Sequence, residues 1–165
     1  MRILIIGGNG TIGKKVCAHF TQRHDIIIGG RTGSDVQVDI TDSSSIQAMF
    51  ESTGSVDAVV CVAGEAKWAP LEELTETDYH IGLKSKLMGQ VNLVRIGMDY
   101  VNPGGSFTLT TGILADHPVL MTTSAAMVNG GIHSFAKAAC LELKNDVRIN
   151  VVASGLVEDA VEKYR

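Results

Sequence analysis

The chain has 165 residues, of which 45% are hydrophobic and 5% aromatic, and its formal net charge is −4. This length is enough for one domain with a hydrophobic core, and the composition excludes a disordered chain. Lysine and arginine are dispersed along the sequence, so neither a nucleic acid nor an anionic membrane surface is expected as a partner.

Short apolar segments bounded by glycine and polar residues alternate with helical patterns along the whole chain. Strands are predicted at Arg2–Ile6, Asp25–Gly30, Val36–Ile40, Val56–Gly64, Ser106–Thr111 and Val147–Val152. Helices are predicted around Ile12, Val16 and Phe20, over Ser43–Phe50, from Thr75 to about Tyr100, and from Thr122 to about Leu143. Asp42 is a predicted N-cap, and Thr75 with Asp78 forms an acidic variant of the capping box.

Strict alternation of strand and helix indicates parallel strands joined by right-handed crossovers, with both sheet faces covered. Without a repeat, linker or low-complexity tract, residues 1–165 are predicted to form one domain. The fold class is therefore α/β, a doubly wound parallel sheet of about six strands.

The turn between the first strand and the first helix reads GGNGTIG, Gly7–Gly13. Glycines at this spacing allow a sharp turn and bring the main chain close to a diphosphate, which the helix N-terminus also attracts. We predict a nucleotide-binding turn; the alternative is a purely structural one. The proposed cofactor-binding residues here are Gly7, Asn9, Gly10, Thr11, Ile12 and Gly13.

The end of the second strand indicates which dinucleotide binds. An acidic residue there would hold the ribose 2′-hydroxyl of NAD, but this chain has Arg31 after Gly30. A guanidinium matches a 2′-phosphate, so NADP (NADPH) is preferred over NAD, with Thr32 and Ser34 as hydroxyl-bearing helpers. The alternative is that Arg31 is a solvated surface residue.

The three cysteines, Cys17, Cys61 and Cys140, are far apart in apolar context and have no metal-ligand spacing, so no metal site is expected. We predict buried free thiols, which favour a reducing compartment. The N-terminal apolar run is shorter than a signal-peptide core, and no segment approaches the ~20 apolar residues of a membrane span. A soluble, cytoplasmic protein is expected.

Taken in order, these motifs resemble the short-chain dehydrogenase/reductase family over nearly the whole chain. GGNGTIG is similar to the GxxGxxG cofactor turn of atypical members. The segment VDITD, Val38–Asp42, resembles the one whose aspartate, here Asp39, binds the adenine amino group, with Ile40 beside it. Val62, Ala63 and Gly64 resemble the Asn-Ala-Gly segment that lines the cofactor, with Val62 replacing asparagine. Ala136–Val152 resembles the end of the active-site helix and strand six.

The resemblance also places the family's catalytic residues, and this chain departs from them. The tyrosine and lysine fall at Ala125 and Asn129, the serine at Gly112, and the asparagine of the long helix at Lys86. An alanine offers no proton and an asparagine no charge, so the resemblance implies a member without the Ser/Tyr/Lys set.

Lys86, Thr111, Ser124 and His133, together with His117, are the alternative catalytic candidates. Each has a plainer interpretation: Lys86 as a solvated helix residue, Ser124 or Thr123 as an N-cap, and the histidines as ordinary polar residues. An unassisted threonine or serine hydroxyl is a poor acid near neutral pH, whereas histidine is the residue type most often used for proton transfer.

The expected function is an NADP(H)-binding oxidoreductase that transfers hydride to or from a small carbonyl or alcohol. The alternatives are a catalytically inactive NADP(H)-binding regulator or scaffold, and an interaction domain without nucleotide. The resemblance implies a homodimer or homotetramer through the long helix and the active-site helix, whose small residues Ala125, Ala126, Ala136, Ala138 and Ala139 permit close approach. Family members also have a seventh strand, and Val157–Arg165 reaches the region before it; either a tail is missing or the sheet ends at strand six.

Overall fold

A computed structural model of the chain describes residues 1–155, which form a single parallel sheet with strand order β3-β2-β1-β4-β5-β6. The strands are β1 (Arg2–Ile6), β2 (Asp25–Gly30), β3 (Val36–Gln37), β4 (Val56–Cys61), β5 (Val101–Gly112) and β6 (Arg148–Ser154). This order, which reverses direction between β1 and β4, is that of a Rossmann-type doubly wound fold. The predicted fold class and the six predicted strands are confirmed.

In residues 1–155, five α-helices connect the strands: α1 (Thr11–Phe20), α2 (Ser43–Thr53), α3 (Glu76–Gly82), α4 (Gly89–Gly97) and α5 (Thr123–Ala139). A π-helical stretch, Leu83–Met88, joins α3 to α4. The predicted long helix is therefore continuous, with a π-helical segment in its middle. Single π-helical turns inside α-helices are frequently found at functional sites. The capping box at Thr75 and Asp78 is confirmed, with Asp78 Oδ2 accepting from Thr75 N at 2.9 Å.

The apolar run of β1 is buried on both sides because successive side chains alternate between two cores. Ile3 and Ile5 pack with Cys17 of α1 on one face. Leu4 and Ile6 join the larger core on the other face, where α2, α4 and α5 contribute Phe50, Leu93 and Ile132 among others. The carboxyl ends of β1, β4 and β5 therefore lie side by side at the same end of the sheet.

Several predicted boundaries were wrong, each for a local reason. Strand β3 ends at Gln37 because Asp39 turns the chain, its Oδ1 accepting from Thr41 N at 2.9 Å. Strand β4 ends at Cys61, and the predicted last residues of this strand, Val62–Gly64, lie outside the sheet. Strand β5 begins early because Val101 already pairs with Val56, ahead of a register shift.

The ends of α5 and β6 also differ from the prediction. Helix α5 stops at Ala139 rather than about Leu143, and β6 runs from Arg148 to Ser154. The N-cap residue of α5 is Thr122, not Thr123 or Ser124, and its hydroxyl donates to Val119 O at 2.6 Å.

Cys17 and Cys61 are buried as predicted, but Cys140 is exposed, because it lies at the C-cap of α5 where the chain leaves the core. Ala125 and Ala136 are 4% and 8% exposed, so these two alanines pack inside the chain and not on a free helix face.

The sheet is unequally covered near its β6 edge. Val152 of β6 remains 53% exposed, so burial of both sheet faces does not extend to this strand within residues 1–155. The region of the expected seventh strand lies outside the described residues. No helix among those described is both long enough and apolar enough to cross a membrane.

Candidate functional site

A cavity of about 460 Å³ opens where β1, β4 and β5 end. The start of α1 and the segment after β4 line it. Trp68 and the loop after β5, with the apolar residues Ile113, Leu114 and Val119, complete the wall. The lining residues include Thr11, Ile12, Val62, Ala63, Gly64, Glu65, Trp68, Lys86, Thr111, Gly112, His117, Val119, Ala125 and Asn129.

The glycine turn brings β1 and α1 into direct contact. A Cβ on Gly13 would collide with the carbonyl oxygen of Gly7, so only glycine permits this approach. Gly10 N donates to Gly7 O at 2.9 Å and closes the turn.

Helix α1 begins without a side-chain cap and has no acidic residue in its first turn. Its N-terminal amides and partial positive charge are therefore not neutralised by the chain itself. This arrangement can bind the diphosphate of a dinucleotide, and Thr11 and Ile12 of the same turn line the cavity.

Asn9 of the glycine turn forms a hydrogen bond to the loop after β2. Its amide nitrogen donates to Gly33 O at 2.7 Å and lies 3.3 Å from Ser34 Oγ. Ser34 Oγ also donates to Thr32 O at 3.2 Å. The glycine turn and the loop carrying Arg31 thus form one connected surface, and Arg31 is exposed on it.

Asp39 and Ile40 have different surroundings. The backbone and side-chain hydrogen bonds from Thr41, with a smaller contribution from Arg31, lower the pKa of Asp39, so this carboxylate is available as an acceptor. Ile40 is 8% exposed and packs where Gly89 leaves space on α4. Ile40 therefore supports the site from the core.

Lys86 reaches the cavity from the π-helical stretch. Its backbone packs against Gly64, which has φ +120°, and a Cβ on Gly64 would lie 2.9 Å from Lys86 Cα. Burial lowers the pKa of Lys86, opposed by the nearby Cys61 thiol. Within residues 1–155, the Lys86 ammonium group forms no hydrogen bond or ion pair.

The remaining sequence candidates separate into two groups. Thr111 lines the cavity, and its hydroxyl lies 2.8 Å from His133 Nε2, while His133 Nδ1 lies 4.0 Å from Asp116 Oδ2. Ser124 is fully buried outside the cavity lining, beside Gly82, and its hydroxyl has no partner among the described residues. The structure therefore brings Thr111 and His133 together and leaves Ser124 apart.

Ala125 and Asn129 stand one helical turn apart on the cavity wall. Asn129 is 3% exposed, and its Oδ1 has no hydrogen-bond partner in the described part of the chain. A Cβ on Gly112 would lie 3.4 Å from Asn129 Nδ2, so the amide sits directly against the end of β5.

Two apolar residues of the cavity wall and two contacts within the site were not predicted from the sequence. The apolar residues are Trp68, which follows β4, and Val119, which follows β5. The run of apolar residues after strand five could have indicated Val119. The Thr111–His133 contact joins residues 22 positions apart, and the hydrogen bond from Asn9 to Gly33 joins residues 24 positions apart. Nothing in the local sequence pattern indicates either contact.

No group of three or more histidine, cysteine, aspartate or glutamate side chains in residues 1–155 is arranged to hold a metal ion.

Comparison with known proteins gives consistent matches. Residues 14–164 match a family model described as enoyl-(acyl carrier protein) reductase. Among curated proteins, a hydroxynaphthalene reductase of Aspergillus fumigatus is 30% identical over 90 residues, which are 52% of this chain and 33% of that protein. An uncharacterized oxidoreductase of Methylorubrum extorquens is 26% identical over 139 residues, 80% of this chain and 55% of that protein. The chain thus spans a third to about half of the length of these relatives.

Solved structures are similar over nearly the whole chain. The protein lin1944 of Listeria innocua is 44% identical with a TM-score of 0.96, covering 99% of this chain and 82% of that one. A small-chain dehydrogenase crystallised in complex with NADPH is 28% identical with a TM-score of 0.87, covering 94% of this chain and 70% of that one.

Proposed function

The chain belongs to the short-chain dehydrogenase/reductase family, and on that premise we propose that this oxidoreductase uses NADP(H) and a small carbonyl or alcohol substrate. The observation that carries the proposal is the uncapped start of α1 behind the glycine turn, which opens onto the cavity and adjoins the loop of Arg31. A bound NADP(H) would supply or accept the hydride; the chain has to bind it, orient it and exchange a proton with the substrate.

Preference for the phosphorylated cofactor rests on Arg31. This exposed guanidinium follows β2, where the adenosine ribose of a dinucleotide lies in this fold. Asn9 holds the backbone of the same loop, which keeps Thr32 and Ser34 close to the glycine turn. The solved relative with bound NADPH supports the same preference.

We expect Arg31→Ala to weaken NADPH binding about tenfold or more while changing NADH binding little, because a charge-assisted contact to phosphate is worth ~1.5–3 kcal/mol. Isothermal titration calorimetry measures both affinities. Arg23→Ala is the matched control, since Arg23 is an exposed arginine before β2, at the opposite end of that strand. Equal loss of NADPH and NADH binding, or none, would contradict the assignment of Arg31.

The proton donor differs from that of typical family members. Ala125, Asn129 and Gly112 occupy the wall where the resemblance places the tyrosine, lysine and serine. We assign the role to Thr111, which lines the cavity and is hydrogen-bonded to His133. The threonine hydroxyl would donate its proton to the carbonyl oxygen as hydride arrives, and His133 would return a proton to the hydroxyl.

Oxidation of NADPH with a panel of small aldehydes, ketones and dicarbonyls, followed at 340 nm, tests this assignment. Thr111→Val and His133→Gln are expected to reduce kcat about 100-fold while leaving NADPH affinity unchanged, since a positioned proton donor contributes ~10²–10⁴ in rate. Thr108→Val, a half-buried threonine on the same strand that does not line the cavity, is the control. Full turnover in both site variants would exclude Thr111 and His133.

A further inference from the structure

Two loops beside the cavity contain large apolar side chains that the rest of residues 1–155 leaves exposed. In the loop after β5, Val119 is 62% and Leu120 is 91% exposed, and in the segment after β4, Leu71 is 64% exposed. The backbones of the two loops meet, because Ala69 N donates to Met121 O at 3.1 Å. We call Leu71, Val119, Leu120 and Met121 the apolar strip.

The apolar strip is continuous with the cavity. Val119 lines the cavity and also reaches the surface, and Trp68 of the other loop lines the cavity as well. Thr111, to which we assign proton transfer, belongs to the same lining. A substrate whose carbonyl oxygen meets the Thr111 hydroxyl can therefore extend a substituent past Val119 onto the strip.

Hydrogen bonds hold the loop after β5 in this position. Thr122 is fully buried, and its hydroxyl donates to Val119 O at 2.6 Å and accepts from Val119 N at 3.2 Å. A loop fixed in this way keeps Val119 and Leu120 in contact with water unless a ligand covers them. Contiguous apolar surface on a fixed loop indicates a binding site.

The surroundings of the strip restrict what covers it. The two loops contain four exposed carboxylates, Glu65, Glu72, Glu73 and Asp116, against one lysine, Lys67. This excess of negative charge disfavours an anionic lipid surface or an acidic partner. Four apolar side chains are also far fewer than the roughly 20–30 residues that each side of a standard protein interface contributes. An uncharged, unbranched alkyl chain agrees with both the charge and the size of the strip.

We propose that the substrate is a medium-chain aldehyde, or the corresponding primary alcohol, whose alkyl chain leaves the cavity past Val119 and lies on the apolar strip. This role rests on the proposed oxidoreductase function. In reduction, the carbonyl carbon accepts the hydride of NADPH, which becomes NADP⁺, and the carbonyl oxygen accepts the proton of the Thr111 hydroxyl, so that a primary alcohol forms. Leu71 and Leu120 then determine the preferred chain length without touching the reacting atoms.

Binding of the chain can be measured without turnover, because Trp68 is the single tryptophan of the protein and lines the cavity. Titration with primary alcohols from butan-1-ol to decan-1-ol, followed by Trp68 fluorescence, gives a Kd for each. Full burial of one methylene group strengthens binding about fourfold, and an open strip covers a methylene on one side only. We therefore expect the affinity to rise about twofold for each added carbon.

Turnover of the aldehydes from butanal to decanal, followed as NADPH oxidation at 340 nm, should show a parallel rise in kcat/KM. Leu71→Ser combined with Leu120→Ser is expected to remove this dependence on chain length and to leave butanal turnover unchanged. Leu120→Met keeps the surface apolar and should preserve the dependence. Leu141→Ser, at an exposed leucine just after α5, is the matched control.

Every other outcome decides against some part of this account. An affinity that does not change with chain length, or the same dependence in the double-serine variant, would overturn the role of the strip. So would a lower Tm of that variant with equal loss of butanal and decanal turnover, because the strip would then pack against another part of the chain. If the alcohols bind with the expected dependence but no aldehyde oxidises NADPH, the strip remains an alkyl-binding site and the proposed oxidoreductase function fails.

Discussion

At the scale of single residues, the site is defined by what its side chains lack as much as by what they contact. Ala125 provides no proton, Gly112 no hydroxyl, and Lys86 carries a charge without a counter-ion in the described chain. The resemblance to the family implied these positions, and all three residues line the cavity. The orphaned amide oxygen of Asn129 could not be predicted, because it depends on packing between α5 and β5.

The lowered pKa of Lys86 predicts a pH dependence of cofactor binding. Lys86 lines the cavity and only its protonated amine carries charge, so NADPH affinity should be constant below the Lys86 pKa and fall as pH rises through it. Because burial lowers that pKa, the loss should begin below the range of an exposed lysine.

Calorimetric titrations between pH 7.5 and pH 10 check this expectation. Cys61, whose pKa burial raises to about 11, acts on Lys86, and Glu65 and His117 line the same cavity. Lys86→Met measured alongside reports their contribution and should give a flatter profile. Identical profiles for the two proteins would show that Lys86 does not titrate in contact with the cofactor.

At the scale of elements, the type and order of every strand followed from the sequence, but several ends did not. The capping box at Thr75 and Asp78 was visible because a cap is a local interaction. The π-helical stretch Leu83–Met88 left no mark in the apolar periodicity, although it sets where Lys86 projects. Strand β3 is short because the turn at Asp39 interrupts it, a side-chain effect that strand propensity does not include.

At the scale of the whole molecule, helices pack on both faces of the sheet. This packing places the ends of three strands and the starts of α1 and α5 around one cavity. The fold could be predicted since alternating strands and helices allow few arrangements. The shape of the cavity could not, because Trp68 and Val119 come from irregular loops. The substrate does not follow from the fold, since one fold supports many reactions.

The most direct test of the central claim is a crystal structure of the protein grown with saturating NADPH. We predict that the diphosphate contacts the main-chain amides at the start of α1, with the 2′-phosphate beside Arg31. A cofactor bound elsewhere, or an empty glycine turn in crystals that contain saturating NADPH, would contradict the account.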